Sequence, residues 1–148
     1  TQSEDKDLTY KAVRKELSGS GIERADSIVL FLDALWASMQ EDWQHYPKAA
    51  KKYAKVVSAN DAGSYNDIAW TFYEHVDGKS NLKFALQCAN KSVASAPAYA
   101  NLDTKAMVLM KLGQTDEAIQ VAQKAIELAK ASGEDYEATA KALDQMTK

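Results

Sequence analysis

Apolar residues recur with a helical period along almost the whole chain. The longest stripe advances in steps of one, three and four residues and contains Ile22, Ala25, Ile28, Val29, Leu32, Leu35, Trp36, Met39 and Trp43. Such spacing places one apolar face along a helix. No segment of useful length alternates apolar and polar residues, so the pattern predicts an all-α protein without strands.

Turn and capping residues divide this pattern into eight helices. The predicted helices span approximately residues 5–17, 22–43, 47–57, 65–76, 80–97, 98–112, 115–132 and 135–146. Pro47 suits the first position of a helix, and Ser80 is a suitable N-cap. Gly113 and Gly133 stand where helices should end, and residues 60–64 have turn composition. Eight helices with short connections predict four antiparallel hairpins.

The second half of the chain contains an internal repeat. Residues 84–93 match residues 117–126, which lie 33 positions later. Small residues coincide at 85/118, 89/122 and 92/125, and large aliphatic residues coincide at 86/119 and 93/126. In stacked helical hairpins, small residues let helices approach one another while branched residues fill the core between repeats. The offset is close to the roughly 34-residue period of tetratricopeptide repeats.

The chain from about Tyr65 to Lys148 resembles the tetratricopeptide-repeat family. The segments that match best are Lys111-Leu112-Gly113, Asp116-Glu117-Ala118-Ile119 and Lys124-Ala125-Ile126-Glu127-Leu128, with Ala106 and Pro97 at positions that the family uses. Lys105 and Lys130 depart from the family pattern. The resemblance implies a right-handed solenoid of stacked hairpins. Residues 65–148 would then form the repeats and a C-terminal capping helix, and residues 1–64 N-terminal hairpins that are degenerate repeats or a cap.

A narrower resemblance involves three short runs. Residues 66–74, 101–104 and 133–136 look like the helical region that follows the thioredoxin-like domain in some bacterial thiol-disulfide proteins of the Bacteroidetes type. This resemblance implies an accessory domain of a protein whose redox domain is absent from this chain, and it implies a periplasmic location. The chain has no Cys-x-x-Cys pair, so thioredoxin activity is not carried over.

Composition and charge narrow the functional classes. The 148 residues are 46% hydrophobic and 26% charged, which is ordinary for a globular protein. A net charge of −3 argues against a nucleic-acid-binding module. Lysines at positions 48, 51, 52 and 55 form a stripe that we interpret as a solvated face, the alternative being a surface for an acidic partner or nucleic acid. No run approaches the roughly 20 apolar residues of a membrane span, and the missing initial Met suggests a processed chain or an excised domain.

The sequence contains no recognisable catalytic motif. It has no glycine-rich phosphate loop, no Gly-x-Ser-x-Gly and no His-Glu-x-x-His. Asp42 and His45 have the spacing of a carboxylate–histidine pair, but metal sites need three or more ligands, so a metal-dependent helical-bundle enzyme is the less favoured alternative. The single cysteine, Cys88, is expected to be a packing residue. We therefore expect no enzyme activity, no cofactor and no metal.

The first helices of the repeat hairpins predict a partner-binding face. In a solenoid these helices build the concave surface. The predicted contact residues are Trp70, Glu74, Asp103, Met107 and Met110. The predicted function is a non-catalytic scaffold that binds a peptide or partner domain there. The family that the chain resembles clamps acidic peptide termini with Lys, Asn and Arg on this face, whereas this chain has Glu74 and Asp103 there, so such a clamp is not expected. An exposed repeat end also allows a homo-oligomer.

Overall fold

The computed structural model describes residues 2–148, with side chains from Glu4 onward. Within that part of the chain there are eight α-helices and no strand. The helices are α1 (Gln2–Leu17), α2 (Ala25–Met39), α3 (Tyr46–Tyr53), α4 (Ala62–His75), α5 (Lys79–Ser95), α6 (Tyr99–Lys111), α7 (Thr115–Ser132) and α8 (Glu137–Met146). The all-α prediction is confirmed, and the helices pack as adjacent pairs.

All four helices in the first half differ from their predicted bounds. α1 begins at Gln2 rather than residue 5, and α3 ends at Tyr53 rather than residue 57. For α2 and α4 the reason is local. The helix predicted over 22–43 begins at Ala25 and ends at Met39, where the chain turns through Glu41 in the left-handed region with φ of 52°. The helix predicted from residue 65 begins at Ala62, inside the predicted turn. Asp61 caps it, because its Oδ1 accepts a hydrogen bond of 2.9 Å from the Ser64 N–H.

The N-cap prediction at Ser80 is wrong. α5 starts at Lys79, and the preceding Gly78 is its N-cap residue, with φ of 98°. That conformation is natural for glycine and strained for other residues. The two glycine stops predicted further on are confirmed, since Gly113 and Gly133 follow α6 and α7 with φ of 78° and 73°.

The chain forms two compact units, Thr1–Val57 and Ser58–Lys148, which we name the N-terminal unit and the C-terminal unit. The sequence-based division after residue 64 assigned degenerate repeats or a cap to the first part and repeats with a capping helix to the second, and that assignment stays a prediction. None of the helices described from residue 2 onward combines the length and the apolar character needed to cross a bilayer.

In the N-terminal unit, α2 packs against both α1 and α3. The buried residues on this side of α2 are Ala25, Val29, Ala34 and Ala37. The Tyr10 ring on α1 stacks on Trp36, with 4.7 Å between the ring centres and an angle of 2°. The apolar residues of α1 are mostly uncovered, because Leu8, Ala12 and Val13 are all exposed.

In the C-terminal unit, α4 packs against α5 and α6 against α7. α6 also contacts α4 and α5, and α8 packs on α7. The small positions of the internal repeat are fully buried, which holds for Ala85, Ala89, Ser92, Ala118, Ala122 and Ala125. Ser92 in this seam donates a hydrogen bond of 2.8 Å to the Ala62 carbonyl on α4. Small side chains let the helix axes come close, so the repeat positions mark where helices meet.

Candidate functional site

Three of the five predicted contact residues line one groove of the C-terminal unit. Glu74, Met107 and Met110 lie together there. The other lining residues are Tyr73, His75 and Lys111, and the groove encloses about 600 Å³. We name it the α4–α6 groove, because the last turn of α4 and the last half of α6 supply its walls.

The apolar floor of the α4–α6 groove comes from α6. Met107 and Met110 are three positions apart and therefore share a face of the helix. Met107 is buried, whereas Met110 is 37% exposed. Among residues 58–148, Met110 is the only exposed large apolar side chain. The other large apolar side chains of the unit are buried or half-buried, and Met110 presents a flexible thioether at this groove.

Charged groups at the rim of the groove are mostly engaged within the protein. Lys111 Nζ donates a hydrogen bond of 2.6 Å to the Tyr73 carbonyl and lies 5.5 Å from the centre of the Tyr73 ring. It is also 3.8 Å from Asp77 Oδ1. On the opposite wall, a Glu74 carboxylate oxygen lies 3.5 Å from His75 Nε2. The lysine therefore bridges α4 and α6.

Trp70 and Asp103 do not line this groove. Trp70 is half-buried against the core, with its ring centre 5.1 Å from that of Tyr73. Asp103 Oδ1 accepts a hydrogen bond of 2.6 Å from the Thr139 hydroxyl, which also lies 2.8 Å from the Tyr99 hydroxyl. Burial raises the pKa of Asp103 above its usual range, and the bond from Thr139 opposes that shift. Asp103 thus connects α6 to α8.

The N-terminal unit contains a second groove, between α1 and α2, which sequence reasoning missed. It encloses about 550 Å³ and is mainly apolar. The lining residues are Asp5, Lys6, Thr9, Tyr10, Val13, Leu32, Leu35, Trp36 and Met39. The long apolar stripe on α2 could have indicated it, since that stripe is wider than one buried face requires.

A polar cluster joins α1 to α2 beside this second groove. Asp33 accepts hydrogen bonds from the Tyr10 hydroxyl at 2.6 Å and from Arg14 Nε at 2.7 Å. Burial alone would raise the pKa of Asp33, but the hydrogen bonds from Arg14 and Tyr10 lower it. Burial and the same contact with Asp33 raise the pKa of Tyr10 to about 12. The carboxylate is therefore held in its charged form.

The remaining candidate residues show ordinary surface or core environments. His45 Nδ1 lies 2.8 Å from Asp42 Oδ2, and the histidine is exposed. Across the part of the chain whose side chains are described, no three His, Cys, Asp or Glu residues are grouped so as to hold a metal ion. Cys88 is buried, and burial raises the pKa of its thiol to about 11. That thiol is not activated as a nucleophile.

Comparison with known proteins gives no family assignment. No protein-family model matches the sequence, and no curated protein or solved structure is significantly similar to it.

Proposed function

We propose that the chain is a non-catalytic interaction module whose α4–α6 groove holds a peptide or an exposed segment of a partner domain. In this proposal the helix pairs continue as a right-handed, tetratricopeptide-like solenoid with the groove on its concave side. The observation that carries it is Met110, an exposed apolar residue that lines a groove in a unit whose other large apolar side chains are buried or half-buried.

The side chains that line the α4–α6 groove suit an apolar side chain of the partner. Two methionines form an adaptable floor, because the thioether has several accessible rotamers and is polarisable. The Tyr73 ring forms a firm wall, since Lys111 bonds to the Tyr73 carbonyl and lies over its ring. With a rigid aromatic ring on one side and flexible methionines on the other, a few residues of the groove can supply most of the binding energy of a small interface.

The charges at the rim indicate which flanking residues the partner carries. Glu74 and Asp77 are exposed at the end of α4, and the one lysine of the groove is already bonded within the protein. An acidic peptide end would meet these carboxylates without a free cation to pair with. The preferred segment is therefore an apolar side chain flanked by neutral or basic residues.

Selection from a displayed library of random peptides tests this proposal. The full chain is the bait, and the dissociation constants of enriched peptides are measured by fluorescence anisotropy. We expect Met110→Glu to weaken binding at least about tenfold, since it removes a central apolar anchor. Val56→Glu is the matched control, because Val56 is also 37% exposed but belongs to the N-terminal unit.

Two results would contradict peptide binding in the α4–α6 groove. Peptides that bind Met110→Glu as tightly as the wild type would place the binding surface elsewhere. A library that yields no enriched peptide at all would remove the peptide-binding proposal.

A further inference from the structure

α2 is apolar around more of its circumference than the N-terminal unit covers. Its charged residues are Asp26 and Asp33 alone. One side is buried through its small residues and Val29, while the other side exposes Ile28, Phe31, Leu35 and Met39. A helix that is apolar almost all round is typical of a position enclosed by other helices.

The uncovered side of α2 has the spacing of a helix-pairing seam. Ile28, Leu32, Leu35 and Met39 follow one another at intervals of four, three and four residues, and we name them the α2 seam. This is the interval pattern of the a and d positions through which two helices pair in a coiled coil. Leu32 is half-buried, and the other three are exposed.

The charges of the unit favour a second copy of the same chain over a charged partner. No charged residue of α2 lies within the α2 seam, and the Asp33 carboxylate next to it is paired with Arg14 on α1. Two identical seams therefore bring no like charges into the contact itself, and the charged residues that line the groove beside the seam, Asp5 and Lys6, have opposite signs. Residues 1–57 carry nine basic and nine acidic residues, so two copies of this unit approach without net repulsion.

The uncovered apolar area also approaches what a homodimer needs. Val13, Ile28 and Leu35 are each 40–42% exposed, and Met39 is 59% exposed. With the partly exposed residues between them they leave roughly 300–400 Å² of apolar surface, if a free side chain of this size exposes about 150–200 Å². One side of a standard interface takes about 800 Å², of which about 65% is apolar in homodimers.

We propose that two copies of the chain associate through their α2 seams. The α1–α2 hairpins of the two copies then form a four-helix arrangement, with the seam helices crossing at a shallow angle of about 20°. The aromatic stack of Tyr10 on Trp36 lines the groove beside this core. This interface lies in the N-terminal unit and does not depend on the α4–α6 groove.

Sedimentation velocity of the full chain tests the dimer. The monomer mass is 16.3 kDa, and we expect the wild type to sediment with about twice that mass. Leu35→Glu and Met39→Glu should each raise the dimer dissociation constant at least about 100-fold, because they place two carboxylates in an apolar contact. Both residues are exposed in the monomer, so circular dichroism should report an unchanged helix content for both variants.

Leu8→Glu is the matched control for these two variants. Leu8 is 66% exposed on the same unit but does not line the groove between α1 and α2, so its variant should remain dimeric. A wild type that stays at 16.3 kDa up to about 1 mM overturns the proposal. So does a dimer that survives Leu35→Glu, or one that Leu8→Glu dissociates equally. A monomer that binds phosphatidylcholine vesicles through Leu35 would assign this face to lipid and also overturn it.

Discussion

The two units of this chain use similar helices with opposite results for their surfaces. In the C-terminal unit, alanines and one serine at the repeat positions are fully buried, and Met110 is the only exposed large apolar residue in 58–148. In the N-terminal unit, eight large apolar residues between Leu8 and Val56 are exposed. The contrast shows that hydrophobic content alone does not close a helical unit.

The difference lies in how the small residues are distributed. α5 and α7 carry small residues three and four positions apart along one face, so neighbouring helices can approach over several turns. α2 has alanines too, but its large residues occur on both sides of the helix, and α1 and α3 leave Ile28, Leu35 and Met39 exposed. A helix of that kind needs another helix to cover its exposed apolar side, whereas the small-residue faces of α5 and α7 are already covered by their neighbours.

The largest expected difference concerns one residue type in two environments. Phe72 is fully buried, and Phe31 is 42% exposed. Phe72→Ala should reduce the free energy of unfolding by about 3–5 kcal/mol, because it leaves a cavity, whereas Phe31→Ala should cost about 1 kcal/mol. Urea denaturation with tryptophan fluorescence measures both, since Trp70 reports the C-terminal unit and Trp36 and Trp43 the other. Equal losses would contradict the contrast between the units.

Enlarging an alanine gives the next largest effect. Ala122→Leu adds three carbons to a fully buried seam position and should destabilise the C-terminal unit by about 1–3 kcal/mol. Ala12→Leu on exposed α1 should change the free energy of unfolding by less than about 0.5 kcal/mol. Thermal unfolding followed by circular dichroism provides the measurement. If Ala122→Leu left the melting temperature unchanged, the seam would not be closely packed.

Removing one hydroxyl from each unit should have a smaller effect. Ser92→Ala deletes the buried hydrogen bond to the Ala62 carbonyl and should cost about 1 kcal/mol. Thr9→Ala deletes a bond to the Asp5 carbonyl within exposed α1 and should be neutral within about 0.5 kcal/mol, since alanine is the better helix former. Urea titrations of the two variants provide the comparison. A larger loss for Thr9→Ala than for Ser92→Ala would reverse our ranking.

The smallest effects distinguish the two units by the sign of their pH dependence. The pKa of Asp33 is lowered in the folded chain, so its stabilisation is present above the unfolded value of about 3.9 and is lost as the pH falls through the folded pKa. The pKa of Asp103 is raised by burial, so stability falls as the pH rises from about 3.9 through its folded pKa. Asp33→Asn and Asp103→Asn should each remove one of these two dependences of stability on pH.

Urea titrations of both variants between about pH 3 and pH 7 measure these two dependences. The difference between the wild type and Asp33→Asn should grow with increasing pH. The difference between the wild type and Asp103→Asn should shift in favour of the variant over the same range. If both wild-type-minus-variant differences in the free energy of unfolding changed in the same direction with pH, the two carboxylates would not differ in the way their contacts indicate.

Sequence reasoning located most helices because their limits depend on local chemistry. α7 was predicted with its observed bounds, Thr115–Ser132, and its ends carry local signals, since Asp116 and Glu117 lie in its first turn and Gly133 follows its last. The two lysines that depart from the repeat pattern each contact a neighbouring element. Lys105 forms a 3.5 Å ion pair with Glu117, and Lys130 Nζ lies 5.4 Å from the centre of the Tyr136 ring. Local signals misled at Asp61 and Gly78, where more than one residue could begin the helix.

The candidate site was predictable only in part. Glu74, Met107 and Met110 were found by assigning residues to the first helices of the hairpins, and the structure brings them to one groove. Tyr73 and Lys111 were missed because their contact joins positions 38 residues apart. Asp103 was expected on the binding face, but its partner Thr139 lies on α8, and helical periodicity carries no information on which distant helix a residue meets.

The amino-acid sequence by itself determined the all-helical composition, the approximate positions of the helices and the buried small positions of the repeat. Each of these depends on the spacing of side chains within one or two turns, where sequence distance and spatial distance agree. The tertiary structure decided which apolar faces are covered, which carboxylate is buried and where the grooves open. Those properties depend on helices that are remote in sequence, and the helical period is the same whether an apolar face meets another helix or water.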